Sequence, residues 1–384
     1  MAHDEAVWRV LGHSVRGASH RRSGAPNQDA ILWWSPAPDG PPIALVVSDG
    51  HGSDKSFRSE IGSRLAVETT MGLLRELLGV LSRSPNLSAV KRTAEERLPQ
   101  EIVRGWQAAV DAHLATHPLT EEELARLEEK RGAAACRELV DHPRLAYGAT
   151  VLAALVTQRF LLFVQLGDGD ILMVLDDGDV VRPMARDPRL IANETTSLCM
   201  TRAWQEVQLR FLASDGGLPA LILLATDGYA NSFVNEAAFL QVGTDLLAIM
   251  QEDGAQAVEA NLATWLEEAS VAGSGDDISL GILYRGDVVP AVTRSATPAD
   301  ATQVASEAPA GERDGVPPRE VGPHARGDER AQIVARIKHE GPREPAKRGR
   351  PADLIDEKAG APRDDAAPAG GAPDQGPAEG PDGA

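Results

Sequence analysis

Several acidic turns stand where apolar runs stop or start. Ile43 to Ser48 ends in Asp49-Gly50-His51-Gly52, Leu221 to Thr226 ends in Asp227-Gly228, and Leu161 to Leu166 ends in Gly167-Asp168-Gly169-Asp170. Asp276-Asp277 precedes the run from Ile278, and Asn27-Gln28-Asp29 precedes the run from Ala30. Carboxylates brought together from such points repel one another and are costly to desolvate unless a cation neutralises them. Oxygen ligands select hard ions, so the expected metal is magnesium or manganese with waters completing an octahedral shell. Zinc does not fit the acidic turns, because their donors are oxygens and Cys136 and Cys199 are far apart. An Asp-Gly pair also suits a hairpin turn, since both residues tolerate positive φ. Gly167 to Asp170, between two runs at hairpin spacing, is read that way. The text after Asp49 and Asp227 reads instead as a loop entering a helix, which leaves those two as ligand candidates.

The elements that must position these turns follow from periodicity. Strands are expected at Trp8 to Val15, Ala30 to Trp34, Ile43 to Val47, Thr150 to Thr157 and Phe160 to Leu166. Four more are expected at Ile171 to Leu175, Val207 to Leu212, Leu221 to Ala225 and Ile278 to Tyr284. Many are joined by short polar turns, which favours antiparallel pairing. Helical spacing marks Phe57 to Leu81, Ile102 to Leu114, Asn235 to Met250 and Ala255 to Ala269. Thr120 followed by Glu123 is a capping box that opens another helix. Two groups of strands with amphipathic helices between them predict an α+β fold, a two-sheet sandwich covered by helices.

The chain has 384 residues, 42% of them hydrophobic, enough to bury a full core. From about Arg285 onward Pro, Gly, Ala and charge dominate and apolar periodicity stops. The expectation is one domain over residues 1–286 and a disordered tail over 287–384. A formal charge of −19 argues against a general nucleic-acid binder. Lys347-Arg348-Gly349-Arg350-Pro351 is similar to an AT-hook core, but acidic residues follow at Asp353, Asp356 and Glu357, and a basic island in a solvated linker is the reading preferred. Leu354-Ile355 and a helix over Asp328 to His339 are candidates for docking a partner. Two cysteines make no disulfide framework and fit a reducing cytosol. With no leader-like start and no apolar run of about 18 residues, a soluble cytoplasmic protein is expected.

The acidic turns and their flanks resemble the type 2C metal-dependent protein phosphatases, over about residues 8–285 and in the family's order. The segments are PNQDA at 26–30, VVSDGHGS at 46–53, YGATVLAAL at 147–155, QLGDGDI at 165–171, LLATDGYANSF at 223–233 and GSGDDISLGIL at 273–283. The opening GHSVRGASHRRSGAPNQDA is closer to the bacterial subgroup. The resemblance implies a four-layer αββα arrangement, an antiparallel β-sandwich of two sheets flanked by helices on both sides.

It also implies roles. Asp49 would bridge two Mn2+ or Mg2+ ions, the Gly50 carbonyl would ligate one, and Asp227 and Asp276 would complete the other. Asp276 is preferred to Asp277 by its place in the family's acidic pair. Asp29 would hold metal-bound water, and His51 would protonate the leaving oxygen, with a structural turn histidine as its alternative. His13 and His20 are read as structural. Gln28 stands where animal members have Glu, which leaves waters as the alternative to direct side-chain ligation. Leu145 aligns with the aspartate that accompanies a third ion in some bacterial members, leaving that ion open. Gly24 replaces the phosphate-binding arginine, so Arg21 and Arg22 are its substitutes or else solvated charge. The implied activity is one-step hydrolysis of phosphoserine and phosphothreonine in proteins, opposing a bacterial kinase. The alternative is an inactive domain that binds phosphoprotein or kinase partners. Transfer from a nucleotide lacks the GxxxxGK[ST] loop.

Overall fold

A computed structural model of the protein describes residues 6–37, 40–81, 86–185, 195–214 and 217–289. The tail beyond 289, with its basic island and docking candidates, lies outside the described residues. In chain order the elements are β1 (Trp8–Val15), α1 (Ala18–Ser23), β2 (Ala30–Trp34), β3 (Ile43–Ser48), α2 (Ser59–Leu81), α3 (Leu87–Thr116) and α4 (Glu121–Asp141). They continue with β4 (Val151–Val156), β5 (Phe160–Leu166), β6 (Asp170–Val174), β7 (Val180–Val181), β8 (Gln208–Ala213), β9 (Leu221–Ala225), α5 (Asp227–Ala230), α6 (Glu236–Asp253), α7 (Ala255–Ala272) and β10 (Ile278–Arg285).

Two five-stranded sheets form, with orders β1-β10-β9-β6-β7 and β2-β3-β4-β5-β8, and every neighbouring pair is antiparallel. The period-2 geometry of a strand sends alternate side chains to opposite faces. In β3, Ile43, Leu45 and Val47 enter the layer between the sheets with Trp8, Phe163, Ile222 and Leu283. Ala44 and Val46 face the other way, into a cluster with Leu74, Ile102, Trp106 and Leu139 from α2, α3 and α4. On the far side, Leu221, Leu223 and Ile282 pack against Phe239, Leu246, Leu262 and Leu266 from α6 and α7. Both faces of each sheet's central strands are therefore buried, which is why β3, β4 and β9 read as continuous apolar runs. The result is the four-layer αββα sandwich.

The largest difference in helix extent from the sequence reading is in α3. α3 begins at Leu87, well before Ile102, although Pro99 lies inside it. Asn86 caps it by accepting from the Ser88 and Ala89 N–H groups. α4 opens on the Thr120–Glu123 capping box and is broken at Gly132, where φ is 81°. Just after β10, Val289 is buried in the α6–α7 cluster and the Gly286 N–H donates to Val7 O at 2.8 Å.

Candidate metal centre

The strand ends that carry Asp49 and Asp227 come together at one end of the sandwich. Asp49 follows β3, and its backbone is fixed by the start of β4. Its N–H donates to Thr150 Oγ1 at 3.0 Å, the Thr150 N–H donates to Asp49 O at 2.8 Å, and the Ser48 hydroxyl donates to Thr150 O at 2.6 Å. Gly50 forms an isolated bridge with Ala149. A Cβ at Gly50 would stand 2.5 Å from Gln28 O and 2.7 Å from Ser59 O, so only glycine permits this approach of three chain segments.

Asp227 opens α5 directly after β9. Carboxylate oxygens of Asp49, Asp168 and Asp227 all lie within 4.8 Å of one another. Asp168 is the residue that sequence reasoning missed. The turn Gly167 to Asp170 is no hairpin: β5 belongs to one sheet and β6 to the other, and the connection crosses between them at the acidic end. Gly167 takes φ +110° to make that crossing, and Thr195 Oγ1 donates to Asp168 Oδ1 at 2.9 Å. The only local signal was its match in type to the other strand ends, a run closing on Gly-Asp-Gly.

A cavity of about 630 Å³ opens on this cluster, and its lining includes Asp49, Gly50, His51, Asp168, Asp227 and Asp276. Asp277 faces elsewhere. Its Oδ1 accepts from the Gly17 N–H at 2.6 Å, and its Oδ2 accepts from the Gln28 N–H at 2.6 Å and meets His20 Nδ1 at 2.8 Å. Asp276 and Asp277 thus divide the work, one facing the cavity and one tying β10 to the chain around α1. Asp29 is buried beneath the cluster, its Oδ2 accepting from Thr226 Oγ1 at 2.8 Å, one residue before Asp227. Leu145 lines the cavity wall and offers no carboxylate. Arg21 and Arg22 are not among the lining residues: Arg21 lies 3.8 Å from Glu267, and Arg22 donates to Ser19 Oγ at 3.3 Å. Cys199 lines the cavity beside Ser197, and burial pushes its thiol up, away from a nucleophilic thiolate.

The carboxylates carry the electrostatic signature of a cation site. Burial, reinforced by Asp227, Asp29, Asp276 and Asp168, holds the Asp49 carboxyl well above the usual carboxylate range. Burial also raises Asp29, against the bond from Thr226, and Asp276, against the bond from the Asp277 N–H. Asp227 is pushed up to about 7 by burial and by Asp168 and Asp276. Gln28 Oε1 is buried with no hydrogen-bond donor among the described residues. An all-oxygen donor set under mutual repulsion fits a hard divalent cation. His51 lies beside it, its N–H donating to Gly148 O at 3.0 Å. Burial lowers its imidazole pKa and Asp168 opposes the shift.

An oxygen-lined, cation-seeking centre at one end of an αββα sandwich defines the class of site. The family model for Protein phosphatase 2C matches residues 16–267, and the chain belongs to that family. No curated protein matches the chain. Among solved structures, the catalytic domain of the serine threonine protein phosphatase PstP in complex with 2 manganese ions is 19% identical. Its TM-score is 0.44, over 73% of this chain and 99% of that one. The Mycobacterium tuberculosis serine/threonine phosphatase PstP/Ppp is 18% identical with a TM-score of 0.41, over 72% and 98%. The serine/threonine phosphatase Stp1 from Staphylococcus aureus is 15% identical with a TM-score of 0.43, over 72% and 94%. No helix among the described residues is long and apolar enough to cross a membrane.

Proposed function

We propose that the chain hydrolyses phosphoserine and phosphothreonine in proteins, in the bacterial cytoplasm and in opposition to a serine/threonine kinase. The observation that carries this reading is the meeting of Asp49, Asp168 and Asp227 in a cavity shared with Asp276 and His51. Asp49, the Gly50 carbonyl, Asp227 and Asp276 would hold two manganese or magnesium ions, with Asp168 as a further carboxylate of the cluster. When bound, such ions lower the pKa of a water and neutralise charge on phosphoryl oxygens.

The chain's own residues do the rest. Thr150 and Ser48 fix the backbone at Asp49, and Asp29 fixes the end of β9 through Thr226. His51 donates a proton to the departing serine or threonine oxygen. Its burial favours the neutral ring, so the donating form grows as pH falls.

The test is turnover of a phosphothreonine peptide by the purified protein. Hydrolysis is expected with manganese or magnesium and is abolished by excess chelator, and zinc does not replace them. Undiminished turnover in excess chelator would overturn the assignment.

A further inference from the structure

Lys55 lies in the wall of the acidic cavity, and it is the one lysine or arginine among the described residues lining it. The other charged residues there are Asp49, Asp168, Asp227, Asp276 and Glu138, with His51 as the remaining base. The backbone that carries Lys55 is fixed on both sides. The His51 N–H donates to Gly148 O, the Ser56 hydroxyl to Leu145 O at 3.0 Å, and the Arg58 N–H to Ala146 O at 2.8 Å. Asp54, the preceding residue, is gripped by Lys130 at 3.0 Å and Arg131 at 2.7 Å from α4.

The tip of Lys55 is held far less firmly. Its Nζ meets one partner among the described residues, Glu138 Oε2 of α4 at 2.5 Å, with the two side chains 38% and 48% exposed. An ion pair this open to water is weak and exchangeable. A phosphomonoester dianion entering beside Glu138 gains from a positive group of the protein in addition to any bound ions, and an ammonium serves as a mobile point charge for phosphate.

On the phosphatase reading above, we propose that Lys55 is the substrate-binding cation of this chain. When a phosphorylated side chain enters, Nζ leaves Glu138 for a phosphoryl oxygen, and Glu138 is the carboxylate against which phosphate competes. No bond is made or broken in this step. Phosphate recognition is thereby placed on the loop after Asp49 and on α4, and not on Arg21 or Arg22.

The experiment uses the full chain with manganese, a phosphothreonine peptide as substrate and inorganic phosphate as inhibitor. Lys55→Met should raise both KM and the phosphate inhibition constant about tenfold, while manganese affinity by titration stays within about twofold. Lys55→Arg should recover most of the loss. Glu138→Gln, which releases Lys55, should lower the phosphate inhibition constant by about threefold, and it carries the test if Lys55→Met fails to fold. Unchanged KM and phosphate inhibition in Lys55→Met, or weaker phosphate binding in Glu138→Gln, overturns the inference and leaves the phosphatase reading standing. A parent chain that hydrolyses nothing with manganese overturns both.

Discussion

The two ends of the sandwich make opposite use of charge. At the acidic end the carboxylates of Asp49, Asp168 and Asp227 face one another across a cavity of about 630 Å³. At the other end a larger cavity, about 910 Å³, is lined by residues that include Trp8, Arg159, Leu218 and Arg285. There the Arg285 guanidinium donates to Leu218 O at 2.7 Å and pairs with Asp287 at 2.9 Å and Asp176 at 3.1 Å. In the mostly uncharged lining of the larger cavity Arg285 is neutralised by carboxylate partners, whereas the smaller cavity holds Asp49, Asp168 and Asp227 together against repulsion. Size alone therefore does not locate function; stored electrostatic work does.

That contrast is broken most severely at Asp49. Asp49→Asn keeps the shape of the site but removes a carboxylate shared by the cluster. Manganese-dependent kcat/KM is expected to fall by about a thousandfold or more, measured on a phosphothreonine peptide with melting temperature as the folding control.

A smaller effect comes from pH in the presence of chelator. Asp29, Asp49, Asp227 and Asp276 all have folded-state pKa values above their ordinary ones, Asp227 at about 7. The folded chain then binds more protons than the unfolded chain between about pH 4 and 7. The stability these groups contribute is fully present below their ordinary values and is lost as pH rises through the raised ones. The metal-free melting temperature should therefore drop by several degrees, about 5 °C, between pH 5 and pH 8, and manganese should restore it at pH 8. A metal-free melting temperature that rises over that interval would contradict the described repulsion.

The smallest effect belongs to the paired end. Arg285→Ala removes one buried carbonyl contact and two largely exposed ion pairs, a loss of about 1–2 kcal/mol and a melting temperature lower by about 2–4 °C. Peptide turnover should stay within about twofold. A selective loss of turnover would show that the two ends are not independent.

Much of this was legible in sequence because the strands are short, apolar and bounded by turn residues. β1, β2, β5 and β9 have the limits their periodicity predicts. Asp49 and Asp227 stood out because the residues after each do not read as a returning strand. Asp168 was hidden for the converse reason. Its turn has hairpin chemistry and hairpin length, and only the membership of β5 and β6 in different sheets turns it toward the cluster. Sheet membership depends on long-range pairing, which no local window encodes. The first half of α3 escaped because Pro99 reads as a break, although Val90, Ala94 and Leu98 already share one buried face. Lys55 carried no signal at all, since its importance depends on Glu138, 83 residues away.

The position of β10 has a consequence for the timing of biosynthesis. This last strand lies between β1 and β9, and the two residues before it supply both Asp276 and the Asp277 contacts that reach back about 260 positions to Gly17. A ribosome that has made everything through α7 has produced the helices of both flanks and all strands of one sheet, with a gap in the other sheet where β10 belongs. Until those last residues emerge, β1 has no neighbour at its inner edge and Asp276 is not in place beside Asp227. A chain that stops short of β10 thus lacks one wall of the acidic cavity, and the cluster is completed only when this strand pairs.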